Sequence, residues 1–493
     1  TCKPYLIGFG IVLAIALIVL IAAFKLKKTK RKLVRSQAGI AILLALVIVV
    51  NMICWGPMSS MISLATGNGT ISEETSNEAT KLVEKIAEEG IVLLKNEDNM
   101  LPMENNKKLN VFGWASTNPC YGGTGSGSLS DAYETVSLLQ GLENAGFELN
   151  SELSDFYKDY RAERPEVGMW EQDWTLPEPT VDSYSEDLIK NAQDFSDTAL
   201  VVITRVGGEG ADLPTDVSKV TYTDNSKDYK DFEPGEHYLQ LSQTEKNMLD
   251  MVCSDFVVVV YNGANAMELG FLNDYEQIKG AVWCPGTGQA GFNGLGVILS
   301  GEVNPSAKTS DTFVRDLTAT PTAQNFGNFT YDNMDEYKVT QTGFTGKEET
   351  TTPSFINYVE GIYVGYRFYE TAASEGLIDY DKTVLYPFGY GLSYTTFTQE
   401  MGKITENDGT ISFDVTVTNT GDTAGKDVVE VYYNPPYTNG GIEKASANLI
   451  AYDKTKSLEP GESQTLTISF KAEDMASYDY QKEKGYVLEA GDY

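Results

Sequence analysis

The sequence predicts an α/β sandwich built on a mostly parallel sheet, followed by a β-sandwich module and preceded by a two-helix membrane hairpin. Three observations lead there. Two long apolar runs flank a basic stretch within the first 57 residues. Short continuous apolar runs then alternate with helical patterns through the middle of the chain. The tail switches to period-two alternation.

The 493 residues are enough for two or three domains and more than one hydrophobic core. Eight of the 37 basic residues lie in the first 57 positions, leaving 29 against all 70 acidic residues beyond them, a net charge of −41. Nucleic acid is therefore excluded as a partner, because phosphate binding needs a clustered basic face. The acidity suits solubility at an exposed cell surface. Cysteines at 2, 54, 120, 253 and 284 show no Cys-x-x-Cys spacing, and His237 is the one histidine. A disulfide framework, a zinc site and a histidine-dependent triad are all hard to build from that set, so no metal and no cofactor is expected and catalysis must rest on carboxylates.

Residues 1–57 read as two transmembrane helices with a basic cytoplasmic loop. Tyr5 to Phe24 is uncharged and 20 residues long, enough as a helix to cross a hydrocarbon core of about 30 Å. Ala38 to Trp55 is the second span. Between them, Lys25, Lys27, Lys28, Lys30, Arg31, Lys32 and Arg35 place the loop in the cytoplasm by the positive-inside rule, so both ends face outward. A rival reading makes Lys25 onward the basic region of a signal peptide. Either way the rest of the chain lies outside the cytoplasm, most naturally at a bacterial cell membrane.

Met58 to Ser76 reads as a linker. A sandwich domain is expected over 77–400. It opens with Ala79, Leu82, Val83, Ile86 and Ala87 at helical spacing and with Gly90 where the helix stops. Ile91–Leu94, Leu109–Phe112, Ala199–Ile203, Phe256–Tyr261 and Gly280–Trp283 read as buried strands, and Leu138, Leu139 and Leu142 mark another helix. Ser242 and Glu245 form a capping-box pattern before Met248, Leu249 and Met251. Helices alternating with continuous apolar strands imply a mostly parallel sheet covered on both faces, whose ligands bind beyond the strands' carboxyl ends.

Two loops at such ends stand out. One runs Tyr121-Gly122-Gly123-Thr124-Gly125-Ser126-Gly127-Ser128; it lacks the lysine of a phosphate loop and reads either as a structural turn or as a ligand contact. The other, Gly207-Gly208-Glu209-Gly210-Ala211-Asp212, sets a carboxylate between glycines. Taken on its residues alone, Glu209 is a solvated loop carboxylate.

Residues 401–493 predict the β-sandwich. Ile411, Phe413, Val415 and Val417 alternate with polar residues, Val428–Tyr433, Leu449–Tyr452 and Thr465–Phe470 supply further strands, and Pro460-Gly461 marks a turn.

Several ordered segments resemble glycoside hydrolase family 3. They are Glu88-Glu89-Gly90-Ile91-Val92-Leu93-Leu94-Lys95-Asn96, the Gly122 loop, Pro285-Gly286, Gly301-Glu302-Val303-Asn304-Pro305-Ser306, Glu360-Gly361-Ile362-Tyr363-Val364-Gly365-Tyr366-Arg367 and Pro387-Phe388-Gly389-Tyr390-Gly391-Leu392-Ser393-Tyr394. The resemblance covers about residues 76 to 493. It implies a six-stranded α/β sandwich followed by a fibronectin type III-like module, here with its last strand cut off. It also implies retaining hydrolysis of β-linked sugars, with an Asp nucleophile on a (β/α)8 barrel and a Glu acid/base on the sandwich.

The chain fits the family members that place the barrel last, and it stops before that barrel, which is expected downstream or from a partner chain. Glu209 matches a family motif similar to Ser-Gly-Glu-Gly-x-Asp-Arg and is the expected acid/base. Gly207 replaces the Ser and Leu213 the Arg. Tyr121, Gly122, Gly123, Ser126 and Asp212 are the expected substrate contacts. Gln172-Asp173-Trp174 is the string nearest to the nucleophile motif and reads as a decoy in a polar, Pro-containing insertion. Glu360 reads as structural within a tyrosine-rich packing segment, and His237 as a surface residue beside Tyr238. The expected substrate is a β-linked oligosaccharide or glycoside, and the expected activity is of the β-glucosidase or β-xylosidase type. The contrasting possibility is a non-catalytic glycan-binding or display protein.

Overall fold

The computed structural model describes residues 2–66, 71–104, 107–123, 129, 133–161, 163–168, 171–220, 230–252, 256–326, 331–343 and 346–493. The chain divides into two compact units, 1–77 and 78–493. In the first, α1 (Lys3–Ala22) and α2 (Lys28–Trp55) are each long and apolar enough to cross a membrane. The basic stretch expected as a loop is largely the first two turns of α2, because lysine and arginine are good helix formers. The stretch read as a linker also holds order: α3 spans Ser59–Thr66, and α4 starts at Glu73 and runs to Gly90.

The second unit is centred on a six-stranded sheet. Its elements are β1 (Val92–Asn96), β2 (Lys108–Phe112), α5 (Leu138–Asn144), β3 (Glu148–Leu149), α6 (Ser151–Tyr160), α7 (Glu186–Phe195), β4 (Thr198–Arg205), α8 (Gln243–Val252), β5 (Phe256–Gly263), β6 (Ile278–Cys284) and α9 (Phe292–Ser300). The strand order is β1-β6-β5-β4-β2-β3. Four neighbouring pairs are parallel, and β1 runs antiparallel to β6, so the sheet is mixed.

The apolar runs are explained by burial on both faces. Val201, Ile203, Val259 and Tyr261 enter one core cluster, while Leu200, Val202, Val258 and Val260 enter the other. Helices α5 and α9 cross at glycines: a Cβ on Gly141 would lie 2.3 Å from the Phe292 carbonyl oxygen, and one on Gly296 would lie 2.2 Å from that of Gly141. The opening helix is less covered than its pattern suggests, since Ala87 is buried whereas Leu82 and Ile86 are exposed.

Beyond α9 come β7 (Phe313–Val314), α10 (Pro321–Asn325), an exposed hairpin of β8 (Val339–Thr342) and β9 (Glu348–Thr351), α11 (Tyr366–Ser374), α12 (Tyr380–Thr383) and β10 (Val384–Tyr386), which pairs with β7. The expectation of a packed tyrosine-rich segment around Glu360 holds only in part. The Tyr363 hydroxyl donates to Glu443 Oε2 at 2.6 Å and Tyr366 stacks on Phe388, but Tyr358 and Val359 are exposed and Glu360 is half-buried.

The tail forms β11 (Phe397–Met401), β12 (Thr405–Asn407), β13 (Thr410–Asn419), β14 (Val428–Tyr433), β15 (Asn448–Lys454), β16 (Ser463–Lys471), β17 (Ser477–Asp479) and β18 (Gly485–Val487). Phe413, Val415 and Val417 from β13 pack with Val429, Leu466 and Ile468, as the alternation requires. This module is clasped to α4: Glu89 receives Lys426 Nζ on Oε1 and Lys454 Nζ on Oε2, the latter at 2.5 Å. Burial alone would raise the Glu89 carboxyl, but the two ammonium groups outweigh it and hold the pKa at about 2.

Candidate active site

The candidate site lies at the carboxyl ends of β2, β4, β5 and β6. Strand β4 is buried through its last two residues, Thr204 and Arg205, and polar side chains buried there must be paired. Arg205 uses all five N–H donors: Nε to the Tyr238 carbonyl, Nη1 to the Thr204 carbonyl and Glu245 Oε1 (2.8 Å), and Nη2 to the Gln240 carbonyl and Glu245 Oε2 (2.6 Å). Burial pulls the guanidinium pKa down, and the Glu245 charge and hydrogen bonds outweigh that, leaving it above its ordinary value. Glu245 also closes the capping box expected at α8, accepting from Ser242 N while Ser242 Oγ accepts from Glu245 N. One carboxylate thus fixes the end of β4, the start of α8 and the loop between them.

The turn carrying Glu209 leaves this anchor directly. Ala211 N donates to the Gly208 carbonyl at 3.1 Å, and Gly210 takes φ +75°, a conformation that favours glycine. Glu209 and Asp212 are exposed, while Ala211 between them is buried. Beneath the turn, Ala211 and Val206 join Cys120, Trp174, Phe232 and Tyr238 in one apolar cluster. Because Cys120 belongs to the loop after β2 and β2 pairs with β4, the two expected loops share a foundation.

The glycine loop is pinned by Asn262, at the end of β5. Its Oδ1 accepts from Cys120 N at 2.6 Å, and its Nδ2 donates to the carbonyls of Cys120 and Cys284. Tyr121 is half-buried with its ring edge-on to Phe292, and its carbonyl accepts from Gly288 N at 2.7 Å. Gly122 lies so close to Gly286 that a Cβ on the latter would stand 3.1 Å from the Gly122 Cα. Gly123 is exposed. Ser126 lies outside the described residues.

The decoy string, in its polar, Pro-containing segment, sits beside this site. Trp174 is buried edge-on against Tyr238, Asp173 Oδ1 accepts from Thr175 N and Oγ1, and Gln172 Nε2 donates to the Gly210 carbonyl at 3.2 Å. Its role is to brace the Glu209 turn from the side. His237, expected at the surface, is buried: Nδ1 accepts from Leu239 N, and Nε2 meets Glu268 Oε1 at 3.0 Å. The reason is that its loop turns inward so that Arg205 can reach the carbonyls of Tyr238 and Gln240.

A small cavity of about 20 Å³ under the site is bordered by Trp114, Arg164, Asp173 and Glu178, too little for a sugar ring. Glu178 accepts from Trp114 N and from the Tyr184 hydroxyl, and burial pushes its carboxyl up to about 8. Arg164 lies over the Trp114 ring, and burial lowers its guanidinium pKa. Arg205, Asn262, Glu178 and Arg164 were not singled out in the sequence. The one signal was a charged residue, Arg205, directly after the apolar run Ala199–Ile203 and Thr204.

Residues 91–366 match the glycosyl hydrolase family 3 C-terminal domain, and residues 427–493 match a fibronectin type III-like domain. The chain belongs to glycoside hydrolase family 3. Beta-glucosidase A of Butyrivibrio fibrisolvens is 34% identical over 433 residues, covering 82% of this chain and 48% of that protein. A beta-glucosidase of Ruminococcus albus is 32% identical over 426 residues, covering 85% and 39%. Among solved structures, a beta-glucosidase from Paenibacillus barengoltzii superposes with a TM-score of 0.66 at 31% identity, covering 84% of this chain and 41% of that one. Beta-glucosidase 3B from Thermotoga neapolitana, solved in complex with α-D-glucose, gives 0.64 at 28% identity, covering 84% and 51%. The family 3 chain described here therefore spans about half the length of these relatives, or less.

Proposed function

We propose that this chain supplies the acid/base half of a retaining β-glucosidase-type hydrolase, with Glu209 as the proton donor. The observation that carries the reading is an exposed carboxylate on a glycine turn anchored at the carboxyl end of β4, next to the glycine loop of the neighbouring strand. The nucleophile comes from a (β/α)8 barrel carried elsewhere in the same protein or by a partner chain. The two carboxyl groups then stand about 5 to 5.5 Å apart across the scissile bond. Glu209 protonates the departing oxygen while the barrel carboxylate forms the glycosyl-enzyme. The resulting Glu209 carboxylate next takes a proton from the water that releases the sugar. Tyr121, Gly122, Gly123 and Asp212, together with Ser126 of the undescribed stretch of the same glycine loop, are the proposed substrate contacts. The substrate is a β-linked glucoside, in keeping with the names of the beta-glucosidases it resembles, or a xyloside.

On the same reading, residues 1–57 anchor the protein as two transmembrane helices, 58–76 link them to the sandwich of 77–400, and 401–493 form the fibronectin-like module, with the globular part outside the cytoplasm. The lengths of α1 and α2 and the basic residues between the spans support this.

The test is kinetic. The chain alone should hydrolyse aryl β-glycosides no faster than background, since one carboxylate cannot both attack and protonate. Completed with a family 3 barrel, Glu209→Gln should lower turnover of an unactivated disaccharide by about 10²- to 10⁴-fold, with partial rescue by azide on activated aryl glycosides. A change within about threefold, far below that scale, would remove Glu209 from the role.

A further inference from the structure

A cavity of about 650 Å³ lies at the seam between α11 and the stretch that joins β14 to β15. Three hydrogen bonds tie its two walls together. Ser446 N donates to Thr371 Oγ1 at 3.0 Å, Leu449 N to the Tyr366 hydroxyl at 2.9 Å, and the Tyr363 hydroxyl to Glu443 Oε2 at 2.6 Å. The rim is open, with Tyr437 45% and Leu377 76% exposed. Among the described residues, none of the glycine loop or of the Glu209 turn borders it.

The volume falls within the range of about 300–1,000 Å³ typical of small-ligand sites. Of the 17 bordering residues, ten carry a polar side chain and seven do not, so the wall can meet both the hydroxyls and the C–H faces of a pyranose. Four of the polar side chains, Glu360, Glu375, Asn434 and Asn439, have no hydrogen bond or ion pair among the described residues. Carboxylates accept from hydroxyls, and amides both accept and donate. Tyr437, on the same border, stacks on no other ring among the described residues. Glu360 is half-buried without a partner, which packing alone does not explain.

The charge of the border narrows the ligand. Lys444 is its one basic residue among those described, and the Nζ is already bonded to the Pro436 carbonyl and to Glu489 Oε2. An anionic ligand would meet Glu360 and Glu375 with no free cation to offset them.

We infer that this cavity binds a neutral oligosaccharide, whose hydroxyls are gripped by Glu360 and Glu375 on one wall and by Asn434 and Asn439 on the other. In a glycosidase such a site keeps a glycan on the protein between cleavages. The inference does not depend on Glu209 as the proton donor, and the binding does not need the barrel.

The experiment is isothermal titration calorimetry on the full chain in lipid nanodiscs, with cellotetraose and xylotetraose as neutral probes, trigalacturonate as the charged one and empty nanodiscs as the blank. At least one neutral probe is expected to bind, and trigalacturonate is not. Glu360→Ala should weaken that binding about tenfold or more, as for a lost charged acceptor, and Asn434→Ala about two- to tenfold, with the unfolding midpoint unmoved. Glu375→Ala, at an exposed position, repeats the first of these without disturbing a half-buried side chain. Glu209→Gln should leave the binding unchanged. Absence of binding by both neutral probes, equal binding of trigalacturonate, or binding that survives substitution of either wall overturns the inference. Failure of the acid/base reading is distinct: it shows only as unchanged turnover of the barrel-completed Glu209→Gln enzyme, with the binding intact.

Discussion

Removing Glu245 isolates the energetic centre of the site. Arg205 has no solvent exposure, and two of its five donors end on Glu245, so Glu245→Ala leaves a buried guanidinium charge with two unpaired N–H groups. Breaking a buried pair from one side costs about 3–5 kcal/mol, and loss of the bond from Ser242 N adds to that because a helix cap contributes about 1 kcal/mol. Glu245→Gln keeps one acceptor and should cost less, about 1.5–3 kcal/mol for a lost charged hydrogen bond. The double variant Arg205→Met/Glu245→Leu removes both charges and should be less damaging than Glu245→Ala alone, since the cost lies in the orphaned charge and not in the absence of the pair. Urea unfolding followed by the fluorescence of the buried Trp114, Trp174 and Trp283 gives each difference from its midpoint. Destabilisation by Glu245→Ala of less than about 1 kcal/mol, or a double variant as damaged as the single one, would refute the reasoning.

Other outcomes follow from the same physical terms. Glu178 has a folded pKa near 8 against 4.5 for a free carboxyl, so its contribution is complete below about pH 4.5 and lost as pH rises through 8. Glu178→Gln should flatten the decline of urea midpoints between pH 5 and 9. Glu89 has the opposite sign: held at about 2, it stabilises above pH 4.5 and fails as pH falls toward 2. Glu89→Gln should lower the unfolding free energy at pH 7 by roughly 1 kcal/mol and abolish that acid-limb slope. Gly141→Ala gains about 1 kcal/mol of helix propensity, but its Cβ would meet the Phe292 carbonyl at 2.3 Å. Overpacking of about 1–3 kcal/mol should win, giving net destabilisation by thermal melting.

What could be read from the residues follows a physical division. Strands β4, β5 and β6 were legible because burial on both faces demands uninterrupted apolar runs, and β13 because burial on one face demands alternation. The direction of β1 was not legible, since Ile91 to Leu94 look the same in a parallel or an antiparallel pair. Nor was β3, at two residues. Glu209 stood out only through the family motif, because a wet glutamate between glycines carries no local mark of its use. The capping box of Ser242 and Glu245 was visible, but not that the same carboxylate also grips Arg205 from 40 residues upstream. Asn262 and His237 were missed for one reason: their polarity is consumed by backbone groups and a carboxylate that only the tertiary fold brings near.

The antiparallel edge strand has a consequence for how the protein is made. Val92 pairs with Trp283, and the carbonyl of Leu94 waits for the Tyr390 hydroxyl, 296 residues later. A ribosome adding about 5–20 residues per second reaches β6 roughly 10–40 s after β1 has been synthesised. For that interval β1 is an apolar strand with two open sides, while β4 can already seek β5. The nascent chain therefore passes through a stage in which an early, sticky segment needs shielding, and translation speed between residues 96 and 284 sets how long that stage lasts.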